Sequence, residues 1–214
     1  MPNINEYSSI IWDWNGTVVD DTRLAFDIYC EECVLYNIEE MNFEQYKKRF
    51  YFPVNKFYEE VGLDKEKYPL LADRFATVYR QRWREIEIHC GVENYLKKNS
   101  EKGISQFVLS AYNQKELLDM VKYFGLQNYF TEIAGIADNL AQSKIQRGKE
   151  LISNNNINIK KTLMIGDTPH DFEVADSLGC DIILISWGAV SYEKLVEKCG
   201  EKLVVKNLSE LFEK

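Results

Sequence analysis

From Gly91 onward, short apolar runs alternate with amphipathic segments, and this alternation constrains the fold more than any other feature. It predicts strands at 106–109, 132–135, 162–165, 181–185 and 203–205, and helices at 114–124, 143–154, 171–178 and 191–198. Strands that alternate with helices are typical of a parallel sheet covered by helices on both faces. We therefore predict an α/β, doubly wound, Rossmann-like core.

The alternation begins with one strand far upstream of the rest. A β-type run at 9–12 opens the chain, whereas residues 20–88 show helical spacing of apolar residues and no convincing strand. A chain of 214 residues has room for one core domain and a modest insertion. The predicted organisation is a core of residues 1–19 and 90–214 with an inserted all-helical cap of residues 20–89.

Chemically active side chains follow three of the predicted strands. Asp13 ends the first strand, Ser110 ends the second, and Asp167 and Asp171 follow the strand at 162–165. Lys144 lies at the start of a predicted helix. Ligands of doubly wound sheets bind beyond the carboxyl ends of the strands, so we expect these side chains to meet there.

The residue types in this set suit phosphate chemistry. A carboxylate such as Asp13 can act as a nucleophile, and the two later aspartates are the hard oxygen ligands that Mg²⁺ prefers. Thr17 and Ser110 can donate to phosphate oxygens, and Lys144 supplies fixed positive charge. Taken singly, each residue also fits a turn, a helix cap or a solvated surface position. Their joint placement at successive strand ends favours the functional interpretation.

Four segments together resemble the haloacid dehalogenase superfamily. DWNGTVVD at 13–20 looks like its first motif, Ser110 its second, Lys144 its third, and GDTPHD at 166–171 its fourth. The helical block at 20–89 is similar to the cap of the phosphoglycolate-phosphatase-like branch. The resemblance covers essentially the whole chain, and it rests mainly on the first and fourth motifs.

The resemblance implies a Mg²⁺-dependent phosphatase that acts through a phospho-aspartyl intermediate. Asp13 would be the nucleophile. Mg²⁺ would be bound by Asp13, by the backbone carbonyl of Asn15 and by Asp167, with Asp171 either bound directly or lying behind these ligands.

The same resemblance implies a binding site for a small phosphorylated substrate. Thr17, Ser110 and Lys144 would hold the phosphate, and the backbone amide of Ala111 would add a donor. Arg49 lies beside an aromatic segment of the cap at 50–52, where a loop could face the substrate. We therefore include Arg49 among the candidate substrate-binding residues.

Asn15 departs from the family pattern. Phosphatases of this family usually carry an aspartate there, two residues after the nucleophile, which protonates the leaving group and then activates water. A neutral amide cannot exchange protons in this way, and such help is worth roughly 10²–10⁴-fold in rate. We count Asn15 with Asp13 and Lys144 as candidate catalytic residues because it occupies this position.

Three interpretations of Asn15 remain open from the sequence. The chain is a phosphatase that uses a good leaving group or another acid, for which Asp20, Asp21 and His170 are the nearest candidates. Alternatively it cleaves phosphonates or does other altered chemistry, as the spacing of Arg49 and Lys56 resembles the phosphonate-cleaving branch. A third alternative is a low-activity pseudo-enzyme that binds a phospho-ligand, although the retained nucleophile argues against it.

Charge and hydropathy exclude some classes of partner. The formal net charge of −8 argues against nucleic acid, whose phosphates favour basic surfaces. No apolar run approaches the ~20 residues that span a bilayer, and the first residues lack an apolar signal core. We expect a cytoplasmic protein without a membrane partner. Neither the particular substrate nor the oligomeric state can be predicted from this sequence.

Overall fold

The computed structural model describes residues 4–136 and 144–212. The strands are β1 (Ser9–Trp12), β2 (Val19–Asp20), β3 (Glu87–Ile88), β4 (Ser105–Asn113), β5 (Glu132–Ile136), β6 (Thr162–Gly166), β7 (Asp181–Ile185) and β8 (Val204–Val205). The helices are α1 (Thr22–Tyr36), α2 (Phe43–Arg49), α3 (Val54–Glu60), α4 (Tyr68–Arg82), α5 (Val92–Glu101), α6 (Gln114–Tyr123), α7 (Lys144–Asn155), α8 (Pro169–Leu178), α9 (Tyr192–Cys199) and α10 (Ser209–Phe212).

Six of these strands form one parallel sheet in the order β5-β4-β1-β6-β7-β8. The central strand β1 lies between β4 and β6, and Trp12 is in register with Val108 and Ile165. Because all six strands run in the same direction, their carboxyl ends lie at one edge of the sheet. The predicted α/β parallel core is confirmed.

Both faces of the sheet are buried. Ile10 and Trp12 of β1 belong to one hydrophobic cluster, whereas Ile11 belongs to the other. Successive side chains of a strand point to opposite faces, so a strand covered on both sides reads as one continuous apolar run. This explains why the core strands were visible in the sequence as short apolar runs.

Helices α1 to α4 form the predicted insertion between β1 and β4, which we call the cap. Its interior is aromatic: the ring of Tyr29 lies 5.2 Å from that of Tyr46 and 5.7 Å from that of Phe57. Within the described residues, we find no helix that has both the length and the apolar character needed to cross a membrane.

The prediction that residues 20–88 contain no strand is wrong at both ends. Strands β2 and β3 pair antiparallel, with Val19 opposite Ile88 and Asp20 opposite Glu87. Two-residue strands are too short to show a period, which is why the sequence did not reveal them. This β2–β3 ribbon joins the points where the chain leaves the core and returns to it.

The end of the strand that carries Ser110 differs from the prediction. Strand β4 does not end at Leu109 but continues to Asn113, with a shift in its register against β5 between these two residues. Ser110 therefore lies within β4. Helix α7 is described from Lys144 onward, and Ser143, where we predicted its start, lies outside the described residues.

Candidate active site

The loop after β1 carries Asp13 to the carboxyl edge of the sheet. The backbone N–H of Asp13 still donates to the carbonyl of Ile165 (2.8 Å), so the position of this residue is fixed by β6. The chain then turns at Gly16, whose φ is +73°. A Cβ at Gly16 or at Gly188 would collide with the Asp167 carboxylate. Both glycines thus let the backbone approach that carboxylate closely.

Asp13, Asp167 and Asp171 form a buried cluster, with one carboxylate oxygen of each within 4.8 Å of the others. Lys144, which is also buried, donates to Asp13 and to Asp171, with 2.6 Å to the latter. Three carboxylates and one ammonium give a formal charge of −3 + 1 = −2. This is the charge that one divalent cation would neutralise.

The second carboxylate oxygen of Asp171 closes the first turn of α8. It accepts from the hydroxyl of Thr168 (2.7 Å) and from the Thr168 backbone N–H (3.0 Å), as in a capping box. Pro169 occupies the first turn of the helix, where its missing N–H costs nothing. The local sequence Thr168-Pro169-His170-Asp171 therefore fixes Asp171 before any ligand binds.

Burial and the charges of neighbouring groups shift the pKa values of the three carboxylates in this cluster. Burial raises the pKa of Asp13 to about 7; the charge of Lys144 opposes the shift and that of Asp171 adds to it. Burial, followed by the charges of Asp13 and Asp171, raises the pKa of Asp167 well above its usual value. For Asp171, burial acts in the same direction, but Lys144 and Thr168 outweigh it and lower the pKa.

Lys144 remains a cation in this setting. Burial alone would lower the pKa of Lys144, but the charges of Asp13 and Asp171 outweigh that effect and raise it. The excess of buried negative charge, the hard oxygen donors and the single fixed ammonium all fit a divalent cation such as Mg²⁺.

The predicted phosphate-binding residues lie beside this cluster. Thr17 is fully buried, and its hydroxyl donates to Asp167 (3.3 Å). Ser110 accepts from the backbone N–H of Tyr112 (3.0 Å), and both Ser110 and Ala111 line the same cavity as Asp13. The structure thus brings together the candidate residues from the core.

Asn15 takes part in a network that the sequence did not reveal. Its side-chain nitrogen donates to the Asp21 carboxylate (2.7 Å) and to the Tyr79 hydroxyl (2.8 Å). Asp21 also accepts from Tyr79 (2.7 Å) and from the backbone N–H of Gly16 (2.8 Å). Because a carboxylate ion only accepts, the amide nitrogen must face it, which leaves only the carbonyl oxygen of Asn15 for other partners.

The sequence predicts Asp21 as one of three candidate acids, but it gives no indication that Tyr79 belongs to the site. Burial raises the pKa of Asp21, and the hydrogen bonds from Asn15 and Tyr79 oppose that shift. In the sequence, Tyr79 is one apolar position of an amphipathic helix. Its approach to Asn15 depends on how α4 packs over the core, which no local signal encodes.

The other candidate acids lie in different surroundings. Asp20 is exposed and lies 3.8 Å from a ring nitrogen of His89. His170 lines the cavity, and its ring stacks on that of Phe52 at 5.5 Å. Only Asp21 among the three contacts Asn15.

Arg49 lies outside the cavity. Its guanidinium pairs with Glu39 (2.6 Å) and Glu60 (3.3 Å), and it is not among the described residues that line the cavity. Lys56 likewise pairs with Glu59 (2.8 Å). The structure therefore does not bring Arg49 together with the other candidate substrate-binding residues, because neighbouring acids of the cap hold its side chain.

The cap lies over the site, and hydrogen bonds from two lysines are among the contacts that join it to the core. Lys47 donates to the carbonyl of Trp187 (3.2 Å). From the core side, Lys194 donates to the carbonyls of Arg49 and Phe50 (2.9 Å each) at the end of α2. These contacts hold α2 above the carboxyl edge of the sheet.

Between cap and core lies a cavity of about 860 Å³. Its floor is polar and its roof is largely apolar. The floor includes Asp13, Asn15, Ser110, Lys144, Asp167 and Asp171, and the roof includes Tyr46, Phe50, Phe52, Tyr68, Ala72, Phe75, Ala76 and Tyr79. A group that reacts at Asp13 would therefore project the rest of its molecule toward apolar cap side chains.

Comparisons with known proteins place this geometry in a family. The model of the haloacid dehalogenase-like hydrolases matches residues 10–185. A protein of Caldanaerobacter subterraneus assigned as the pyrophosphatase PpaX is 22% identical over 198 residues, which cover 88% of this chain and 86% of that protein.

Two solved structures share the fold. One, from Clostridium acetobutylicum and described as a predicted phosphatase, is 21% identical, with a TM-score of 0.82 and 97% of each chain covered. Another, from Lactobacillus delbrueckii and assigned as a phosphoglycolate phosphatase, is 17% identical, with a TM-score of 0.75 and 97% of each chain covered. With the family model matching most of its length, this chain belongs to the haloacid dehalogenase-like hydrolases.

Proposed function

We propose that this chain is a Mg²⁺-dependent phosphatase that hydrolyses a small phosphorylated compound through a phospho-aspartyl intermediate on Asp13. The observation that carries the proposal is the buried cluster of Asp13, Asp167 and Asp171 with Lys144 at the carboxyl edge of the sheet. The names of the relatives, which include a pyrophosphatase and phosphatases, agree with this class of reaction.

Mg²⁺ would be held by Asp13, the backbone carbonyl of Asn15 and Asp167. In this arrangement Asp171, which already accepts from Thr168 and pairs with Lys144, orients the other ligands or joins them. When bound, the ion reduces the repulsion between the nucleophilic carboxylate and the phosphate dianion.

The chemistry divides into two displacements at phosphorus. A carboxylate oxygen of Asp13 forms a bond to phosphorus while the bond to the leaving-group oxygen breaks and the electron pair departs with that oxygen. Water then attacks the same phosphorus, which releases inorganic phosphate, restores the Asp13 carboxylate and gives a proton to solvent. Thr17, Ser110, the Ala111 amide and Lys144 stabilise the charge on the transferred group.

Phosphonate cleavage is not the favoured reaction. Arg49 and Lys56, whose spacing suggested it, are paired with acidic side chains on the cap. The expectations of a cytoplasmic protein and a small phosphorylated substrate stand as part of the proposal.

Release of phosphate from a panel of phosphorylated compounds, with acetyl phosphate included as a small reactive substrate, tests this function. We expect release that requires Mg²⁺ and that is abolished in Asp13→Asn. Asp176→Asn, on the exposed side of α8, is the matched control and should retain wild-type activity. Thermal unfolding of both variants checks that they are folded. Equal activity with and without Mg²⁺, or full activity in a folded Asp13→Asn variant, would contradict the proposal.

A further inference from the structure

The cavity is much larger than a phosphate group requires. Its volume of about 860 Å³ lies within the range of roughly 300–1,000 Å³ that is typical of sites for ligands of drug-like size. The polar floor around Asp13 would hold the phosphate and the metal ion. The remaining space, which we call the upper space, lies under the cap and would hold the leaving group.

The wall of this upper space is aromatic. The ring of Tyr79 lies 6.3 Å from that of Phe75, in a stacked arrangement, and 5.7 Å from that of Tyr112, in an edge-on arrangement. On the same helix, the small side chains of Ala72 and Ala76 leave room beside these rings. These three rings contact one another and line one side of the cavity. Such an aromatic wall favours a flat apolar group, because rings gain from stacked and edge-on contacts beyond burial alone.

The charges around the upper space do not suit a second anionic group on the substrate. Among the described lining residues, the cationic or titratable basic groups are Lys144, Arg80 and His170. Lys144 belongs to the floor, Arg80 pairs with Glu116 (2.8 Å), and His170 lies 3.3 Å from Glu173. A carboxylate or a second phosphate on the leaving group would therefore find its basic neighbours already paired.

The leaving group also lacks a proton donor at position 15. The amide hydrogens of Asn15 are directed to Asp21 and Tyr79, so its side chain offers only a carbonyl oxygen. An aliphatic alcohol is about as weak an acid as water and leaves poorly without protonation. A phenol, with a pKa of about 10, departs far more readily as its anion.

From the cavity wall and the Asn15 network together, we propose that the substrate is a phosphate monoester of a phenol-type hydroxyl, with its aromatic ring held against the wall formed by Phe75, Tyr79 and Tyr112. This inference rests on the proposed function. When the bond from Asp13 to phosphorus forms, the bond between phosphorus and the aryl oxygen breaks. The electron pair leaves with the phenoxide, which takes its proton from solvent.

The first experiment compares kcat/KM for a series of substituted phenyl phosphates, simple alkyl phosphates, pyrophosphate and acetyl phosphate, all with Mg²⁺. We expect phenyl phosphate to exceed the alkyl phosphates by at least roughly ten-fold. Within the phenyl series, kcat/KM should rise as the pKa of the phenol falls. An alkyl phosphate or pyrophosphate that is turned over as well as phenyl phosphate would overturn the inference.

The outcomes separate this inference from the proposed function. If none of the compounds, acetyl phosphate included, releases phosphate, the proposed function itself fails. If acetyl phosphate, pyrophosphate or an alkyl phosphate is hydrolysed and the phenyl phosphates are no better, the phosphatase stands and the aromatic substrate class is wrong.

A second experiment fills the upper space. In Ala76→Phe we expect kcat/KM for phenyl phosphate to fall by roughly ten-fold more than kcat/KM for acetyl phosphate, since the added ring occupies the leaving-group space. Leu70→Phe adds a ring on the exposed face of the same helix and should leave the ratio of the two substrates as in wild type. If Ala76→Phe does not fold, Ala72→Leu replaces it. Equal losses of kcat/KM for both substrates in a folded cavity variant would contradict the proposed position of the substrate ring.

Discussion

At position 15 an amide stands in place of a proton-transferring carboxylate, and a carboxylate stands next to it at position 21. The side-chain nitrogen of Asn15 lies 2.7 Å from Asp21, so the pair carries one negative charge and shares one hydrogen bond. An aspartate at position 15 beside the existing Asp21 would place two carboxylates at that distance in a buried site, which is costly. An aspartate at position 21 therefore favours an amide over a second aspartate at position 15.

Exchanging Asn15 and Asp21 should reduce the preference for phenyl phosphates over alkyl phosphates. In the double variant Asn15→Asp/Asp21→Asn, the amide at position 21 can still accept from the Gly16 N–H and donate to position 15. We expect kcat/KM for alkyl phosphates to rise by roughly 10²-fold, because the carboxyl group at position 15 can then protonate the leaving oxygen. The same assay on phenyl phosphates should show a much smaller gain.

Asn15→Asp alone serves as the comparison and should gain less, because its carboxylate faces Asp21. An equal gain for alkyl and phenyl phosphates, or no gain in a folded double variant, would show that proton transfer at position 15 does not limit this enzyme.

The sequence predicted the positions of some residues of the site but not of others. The sequence placed Asp13, Lys144, Asp167 and Asp171 at strand ends or helix starts, and parallel strands bring such positions to one edge regardless of detail. Tyr79 lies 64 residues from Asn15 in sequence, and its place depends on how α4 packs over the core. Such packing leaves no local pattern.

At the scale of elements, the β2–β3 ribbon connects the cap to the loop that carries Asp13. The backbone N–H of His89, directly after β3, donates to the carbonyl of Val18 (3.0 Å), and its ring nitrogen hydrogen-bonds the carbonyl of Gly16 (3.1 Å). Because a carbonyl only accepts, that nitrogen carries the proton. The His89 ring also lies 4.9 Å from that of Trp187. His89 thus links the ribbon to the loop that carries Asp13 and to Trp187 of the core.

This arrangement predicts a pH dependence of stability. Burial lowers the pKa of His89, although the charge of nearby Asp20 opposes the shift. In the unfolded chain the pKa is about 6.5, so below that pH the unfolded state binds the proton more readily than the folded state. The contribution of neutral His89 to the free energy of unfolding is therefore full above about pH 6.5 and decreases as the pH falls below it.

Urea unfolding of wild type and His89→Gln at about pH 7.5 and about pH 5.5, on either side of the reference pKa, measures this contribution. The glutamine can still donate to Gly16 but does not titrate. We expect the stability advantage of wild type over the variant to shrink at the lower pH. An advantage that stays constant or grows in acid would contradict the buried neutral histidine.

The sequence predicted the layers of the fold but not the cavity between the cap and the core. Alternating strands and helices implied a parallel sheet with an inserted helical cap, and both are present. The cavity is lined both by Tyr79 of α4 and by Tyr112 of β4, whose rings lie 5.7 Å apart, and tertiary packing brings these two elements together. No local sequence pattern therefore predicts the size of the cavity or its apolar roof.

We propose that Asp13 carries the phosphoryl group during turnover. Rapid mixing with phenyl or acetyl phosphate and Mg²⁺, followed by acid quenching within the first turnover and peptide mass spectrometry, tests it directly. We expect a hydroxylamine-sensitive phosphoryl group on Asp13 that forms only with Mg²⁺ and is missing in Asp13→Asn. Phosphate released at full rate without any phosphorylated protein, or a phosphoryl group found on another residue such as His170, would contradict it.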